Sequence, residues 1–128
     1  MKIYYAHFMG LYGTKQEKRD LALLYRLFPN DEIVNPSDSV ISNRYLNALG
    51  NTHKDDPRRM QWWQDLASSC DLVVFRALPN GQLTAGVGAE VAAALANDKM
   101  ILELPALAQR ETLTKRATRE LMKEWGVY

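Results

Sequence analysis

Between Ala85 and Ala96 the chain carries one charged side chain, Glu90, set behind the glycines of GVGAE and ahead of a string of alanines. A core position in such a run favours an apolar residue, and a solvated helix face normally carries several charges. Two readings stay open on these residues alone. Glu90 is an acid near a helix start, favoured by the helix dipole by a few tenths to ~1 kcal/mol, or it is a carboxylate with chemistry to do. Backbone N–H groups at that helix start, with Gly86 and Gly88 clearing space beside them, form a cradle suited to an anion.

Further groups able to bind or react stand at the ends of expected strands. His7 and Gly10 lie in HFMGLYG after the first strand, and Arg76 closes the third. Arg76 is a candidate anion ligand, whereas Arg44, inside a long irregular connection, reads as a surface cation. Cys70 is the only cysteine, so no internal disulfide forms, and its apolar helix-to-strand junction suits a buried thiol. No metal-ligand spacing is present.

The elements that must position these residues follow from periodicity and caps. KIYYA, residues 2–6, reads as a buried strand ending in a turn. Thr14 with Glu17 forms a capping box, and the helix it opens carries Leu21, Leu24, Tyr25 and Phe28 on one stripe before Pro29. EIVNP is a short second strand. Residues 37–56 are the least regular stretch, with a short helix expected around Arg44 to Leu49. Asp56 as N-cap and Pro57 at the first helical position start the next helix, whose stripe is Met60, Trp63, Ala67 and Cys70.

DLVVF, residues 71–75, is a continuous apolar strand of the kind buried on both faces of a parallel sheet. After it come the loop ALPNGQLTAGVG, the helix bearing Glu90, the strand MILEL, and a last helix with Leu113, Ala117, Leu121 and Trp125. This alternation implies an α/β fold, a doubly wound parallel sheet of the Rossmann or flavodoxin-like kind, as a single domain over residues 1–128. In such sheets ligands bind beyond the carboxyl ends of the strands. Three stretches meet there: YYAHFMG, RALPNGQLTAGVG and the start of the Glu90 helix.

With 128 residues, 24% charged and 47% hydrophobic, the composition is that of a globular chain able to bury a core. A formal charge of +1 provides no broad field for polymeric nucleic acid or an anionic membrane. No stretch approaches the ~18 apolar residues of a membrane-spanning helix, and a cytoplasmic location is the expectation.

The order IYYAH, SSCDLVVF, then GVGAE ahead of an alanine-rich helix and an apolar strand resembles the nucleoside 2-deoxyribosyltransferase superfamily, which includes the nucleoside 5′-monophosphate N-glycosidases. The resemblance runs over residues 1–104, weakest in the middle excursion, and GVGAE is its most specific part. It implies that Glu90 attacks the anomeric carbon and forms a glycosyl-enzyme intermediate, and that Tyr4 positions this nucleophile. An oxocarbenium-like transition state needs an anionic carboxylate close by, and Ala89 with its flanking glycines leaves room for the sugar.

Six positions before the nucleophile, the family's nucleoside transferases carry an acid that contacts the sugar hydroxyls and its monophosphate N-glycosidases a serine that contacts phosphate; this chain has Thr84. A hydroxyl can donate to a phosphate oxygen where an aspartate would repel it, so the resemblance implies a 5′-phosphorylated substrate. The chain departs from the family where an aspartate is usual, eight positions ahead of Asp71: that position is Trp63. Asp65, two residues on and on another helical face, is the nearest acid and the expected stand-in, with His53 and His7 next as general acids. Trp62 is the candidate ring for stacking a base, and Trp63 belongs to the core stripe.

The resemblance also implies a homo-oligomer, because the C-terminal tail of the transferases reaches an active site across a subunit interface; here the tail is EWGVY, ending at Tyr128. It implies no cofactor and a small-molecule nucleoside or nucleotide as partner. The expected activity is hydrolysis of the glycosidic bond of a (deoxy)nucleoside 5′-monophosphate. Base exchange by a transferase is the alternative within the family, and a non-catalytic nucleotide-binding protein is the alternative outside it.

Overall fold

Successive side chains of the first strand point to opposite faces of a sheet, and this alternation divides the molecule into two apolar layers. The structure, a computed structural model, describes residues 1–105 and 112–127. Four strands, β1 (Lys2–Ala6), β2 (Glu32–Val34), β3 (Leu72–Phe75) and β4 (Met100–Glu103), form one sheet in the order β2-β1-β3-β4, with every pairing parallel. Five helices connect or follow them: α1 (Lys15–Leu27), α2 (Ser39–Leu49), α3 (Pro57–Ser69), α4 (Ala85–Ala96) and α5 (Lys115–Glu124). The protein is therefore an α/β fold of the flavodoxin-like kind, as the alternation implies. Among the described residues no helix is long and apolar enough to cross a membrane.

On one face, Tyr4, Ala6, Val73 and Phe75 pack against Ala67 and Cys70 at the end of α3 and against Val87, Val91 and Ala94 of α4. On the other, Ile3, Tyr5, Leu72 and Val74 meet Leu24 of α1, with Leu21, Leu23 and Phe28 around it. The register Tyr4↔Val73 and Tyr5↔Val74 fixes which tyrosine faces which layer.

Local chemistry explains the element starts. Thr14 Oγ1 accepts from Glu17 N, as in a capping box, but the Glu17 side chain reaches the Gly13 N–H instead of returning to Thr14. Gly13 has φ +76, a left-handed conformation that glycine adopts without steric cost. Asp56 accepts from Arg58 N with Pro57 at the first helical position. Asp38 caps α2 by accepting from Val40 N at 2.8 Å, so this helix starts at Ser39, five residues before the expected Arg44.

Two expected stripes are narrower than their spacing suggests. Tyr25 is exposed and Leu23 takes its place beside Leu24, while Met60 is exposed and Leu66 joins Ala67 in the core. All four β4 residues are exposed, and no α5 residue is buried. Trp125 is 65% exposed and Val127 67%, so these two tail residues are not docked on the chain's own core. Tyr128 lies outside the described residues.

Candidate active site

Helix α4 begins earlier than the glycine pattern implies. Thr84 is its N-cap, with Oγ1 accepting from Val87 N at 3.4 Å, and the backbone is helical from Ala85. Glu90 therefore sits in the second turn. The first turn holds no acid, and the dipole effect fades beyond it, so the helix-start reading of Glu90 loses its basis.

Gly86 and Gly88 lie within the helix, where each costs about 1 kcal/mol relative to alanine. Nothing among the described residues demands them. A Cβ at Gly86 would meet no atom within 4 Å, and one at Gly88 would sit 3.8 Å from Leu83 Cβ, an ordinary contact. The glycines leave an open flank beside Glu90. Gly88 N bonds the Thr84 carbonyl and Val87 N the Thr84 hydroxyl, which leaves the Ala85 and Gly86 N–H groups free of protein partners among the described residues.

Glu90 itself is 9% exposed, and Tyr4, whose hydroxyl faces it, is fully buried. The two are near enough to influence each other's ionisation, yet neither Tyr4 Oη nor Glu90 Oε2 has a hydrogen-bond partner among the described residues. Burial pushes the Glu90 carboxyl up to about 8, and the Tyr4 hydroxyl pulls it only partly back. No cation among the described residues offsets the burial. The Tyr4 phenol is raised well above its ordinary value, chiefly by burial and then by Glu90. An unpaired buried carboxyl next to an unpaired buried phenol is costly, and such groups concentrate where a ligand completes the bonding.

Tyr12, which the sequence reading missed, joins this pair. It follows the short 3-10 turn Met9–Leu11, is half-buried, and packs at 4.9 Å from the His7 ring. Its phenol is pushed up to about 12, first by burial and then by the charges of Glu90 and Glu17. Its place just past the carboxyl end of β1 was the only signal for it.

Several expected site residues are committed elsewhere. Arg76 is buried and gripped by Asp20, with Nε and Nη2 each 2.6 Å from a carboxylate oxygen, while Nη1 donates to the Pro105 carbonyl. It is not free to hold a phosphate. His7 is buried, with Nδ1 3.0 Å from the Tyr5 carbonyl and Nε2 2.6 Å from Glu17 Oε2, so neither nitrogen is available as a general acid or ligand. Asp65 is exposed and accepts from Gln61 on its own helix, and His53 is exposed beside Asp55, so neither shares the buried surroundings of Glu90. Gly10 is exposed, and its lack of a Cβ serves the Phe8 ring, whose Cε2 such an atom would meet at 2.8 Å. Trp62 and Trp63 are both half-buried in one aromatic group with Tyr45, Trp63 stacked on Tyr45 at 5.0 Å and Trp62 edge-on to both.

Asp20 and Glu17 had a legible signal that went unread. They share one face of α1 with Leu24, two acids on an apolar stripe. Burial alone would raise both carboxyls. Bonds from Arg76, Tyr5 and Gln16 hold Asp20 below its ordinary value, and those from His7, Ser37 and Gly13 do the same for Glu17. Among the described residues no group of three or more His, Cys, Asp or Glu side chains is arranged to hold a metal ion.

Set against known proteins, the chain matches no family model and no curated protein.

Proposed function

We propose that the protein is an N-glycosidase that cleaves the glycosidic bond of a (deoxy)nucleoside 5′-monophosphate, with Glu90 as nucleophile. The observation that carries this reading is the buried, uncompensated Glu90 carboxyl facing Tyr4 beside the open flank of Gly86. A site that buries a carboxyl without a cation is complementary to a positive charge brought in by the reaction, and the oxocarbenium-like carbon at C1′ is such a charge. Attack by Glu90 forms a C1′–O ester as the C1′–N bond breaks, and water then opens the ester. The Thr84 hydroxyl, whose proton the cap leaves free, and the free Ala85 and Gly86 N–H groups suit the 5′-phosphate.

A homo-oligomer belongs to the same proposal, supported by the exposed Leu102, Trp125 and Val127 of the single chain. Sedimentation velocity reads it directly. For the activity, the test is incubation with a panel of nucleosides and their 5′-monophosphates, with chromatographic detection of free base. Release from monophosphates without a second base is the expected result. A requirement for an acceptor base would make the protein a transferase, and binding without release would make it a nucleotide-binding protein.

A further inference from the structure

Besides Tyr4 Oη and Glu90 Oε2, one more sealed side-chain polar atom lacks a hydrogen-bond partner among the described residues: Arg59 Nε, in the first turn of α3. The half-buried guanidinium stands over the Tyr45 ring, Cζ 5.8 Å from its centroid, and Tyr45 is in turn stacked on Trp63 and edge-on to Trp62. Such a ring attracts the face of the guanidinium and holds its plane, but it takes none of the in-plane N–H bonds. Those stay open. Neither Nη makes a hydrogen bond or an ion pair among the described residues, and unlike Nε both reach solvent. Arg76, by contrast, is matched by Asp20. A guanidinium drawn into the protein without a counter-charge is costly until an anion completes its bonding.

Arg59 lines a cavity of about 590 Å³ with Lys54, Pro57, Met60 and Gln64, a volume within the range of about 300 to 1,000 Å³ usual for small-molecule sites. Two acids also line it, and neither cancels the cations. Asp56 is taken up by Arg58, whose Nε and Nη2 donate to its carboxylate and whose backbone N–H receives its cap. The Asp55 side chain is 78% exposed, so water and salt weaken its charge. Lys54 is exposed and makes no ion pair among the described residues. No residue of α4 lines the cavity. We propose that it is a second anion site, distinct from the surroundings of Glu90, that takes a phosphate monoester. The dianion matches Arg59 and Lys54 in charge, whereas a carboxylate would leave one cation unmatched. The Arg59 fork donates to two phosphate oxygens, Lys54 supplies a point charge to a third, and Pro57 with Met60 takes the apolar side of the ester. The site stands without the glycosidase reading.

The test is an NMR titration of the full chain at constant ionic strength, with phenyl phosphate as probe and phenylacetate as the carboxylate control. It is read at the Arg59 Nε–H and at the indole N–H groups of Trp62 and Trp63, which report on this cavity and not on the start of α4. A saturable shift of these signals is expected with phenyl phosphate, and binding of phenylacetate at least several-fold weaker. In Arg59→Gln, followed at the two indoles, affinity should fall by about tenfold or more, the loss of one charge-assisted bond. A smaller loss overturns the site, as does the absence of a saturable shift or a carboxylate bound as tightly as the phosphate. Shifts confined to the Ala85 and Gly86 amides also overturn it, and leave the proposed role of α4 in holding phosphate intact. Should Arg59→Gln fail to fold, the exposed Lys54→Gln decides: a loss of about threefold or more supports the site, and a smaller one overturns it.

Discussion

Tyr4 and Tyr5 are neighbours in one strand, and each points at a carboxylate on a different face of the sheet. Tyr5 donates to Asp20, which also receives two bonds from Arg76 and one from Gln16, so this buried acid is ionised and satisfied. Tyr4 faces Glu90, which has no arginine among the described residues, and both groups keep unused bonding capacity there. The same residue pair is a structural tie on one face and leaves unpaired buried groups on the other. What separates them is a cation, since a buried carboxylate with bidentate arginine has no need of a ligand, whereas one without it is held neutral until a positive charge arrives.

The largest effect that would sharpen this contrast is on turnover. Glu90→Gln is expected to cut base release by roughly 10³-fold or more, above about 4 kcal/mol of barrier at 1.36 kcal/mol per decade, while the protein stays folded. A variant within a few-fold of wild type would remove Glu90 as nucleophile. Asp20→Ala should act on the fold. It leaves Arg76 buried and unpaired, a loss of about 3 to 5 kcal/mol of stability measurable by urea unfolding. Replacing both partners by apolar residues should recover much of it, and a double variant no better than Asp20→Ala would break the contrast.

Acid and base should distinguish the two faces with opposite sign. Glu90 in the folded protein holds its proton up to about 8, whereas unfolded it ionises near 4.5, so the folded state binds more protons in that window. Stability therefore falls as pH rises from 4.5 through 8, by on the order of a few kcal/mol, and Glu90→Gln should lack this slope. Asp20 is shifted downward from 3.8, so its contribution is present at neutral pH and lost as pH falls below that value. Urea midpoints of wild type and Glu90→Gln between pH 3 and 9 would show whether the falling limb belongs to Glu90.

The smallest effects come from the tyrosines. Tyr5→Phe removes a buried bond to a charged carboxylate and should cost about 1.5 to 3 kcal/mol. Tyr4→Phe removes a hydroxyl that has no partner among the described residues, so its effect on stability should be below about 1 kcal/mol. Equal losses for the two would mean that the faces are not chemically different.

Most of the scaffold was legible because it is encoded locally. The caps at Thr14 and Asp56, Pro57 at a helix start and the apolar run 72–75 each act within a few residues. The start of α4 was hidden because two glycines lower helix propensity while the cap that outweighs them, Thr84, was read for its hydroxyl alone. In the first five residues of α2, SVISN, no apolar spacing marks a buried face, and only Asp38 announces the helix. The fate of Arg76 was out of reach for another reason. Its partner Asp20 is 56 positions away, and a pairing across that distance is made by the sheet, which local pattern does not contain.

Cys70 ends α3 fully buried in the cluster that also holds Tyr4, with its thiol raised by burial and so kept out of the nucleophilic thiolate form. Alkylating reagents can reach it only when this layer parts from the sheet. As the sole cysteine, it makes the labelling rate with iodoacetamide a clock for how often the ground beneath Glu90 opens, without any engineered probe.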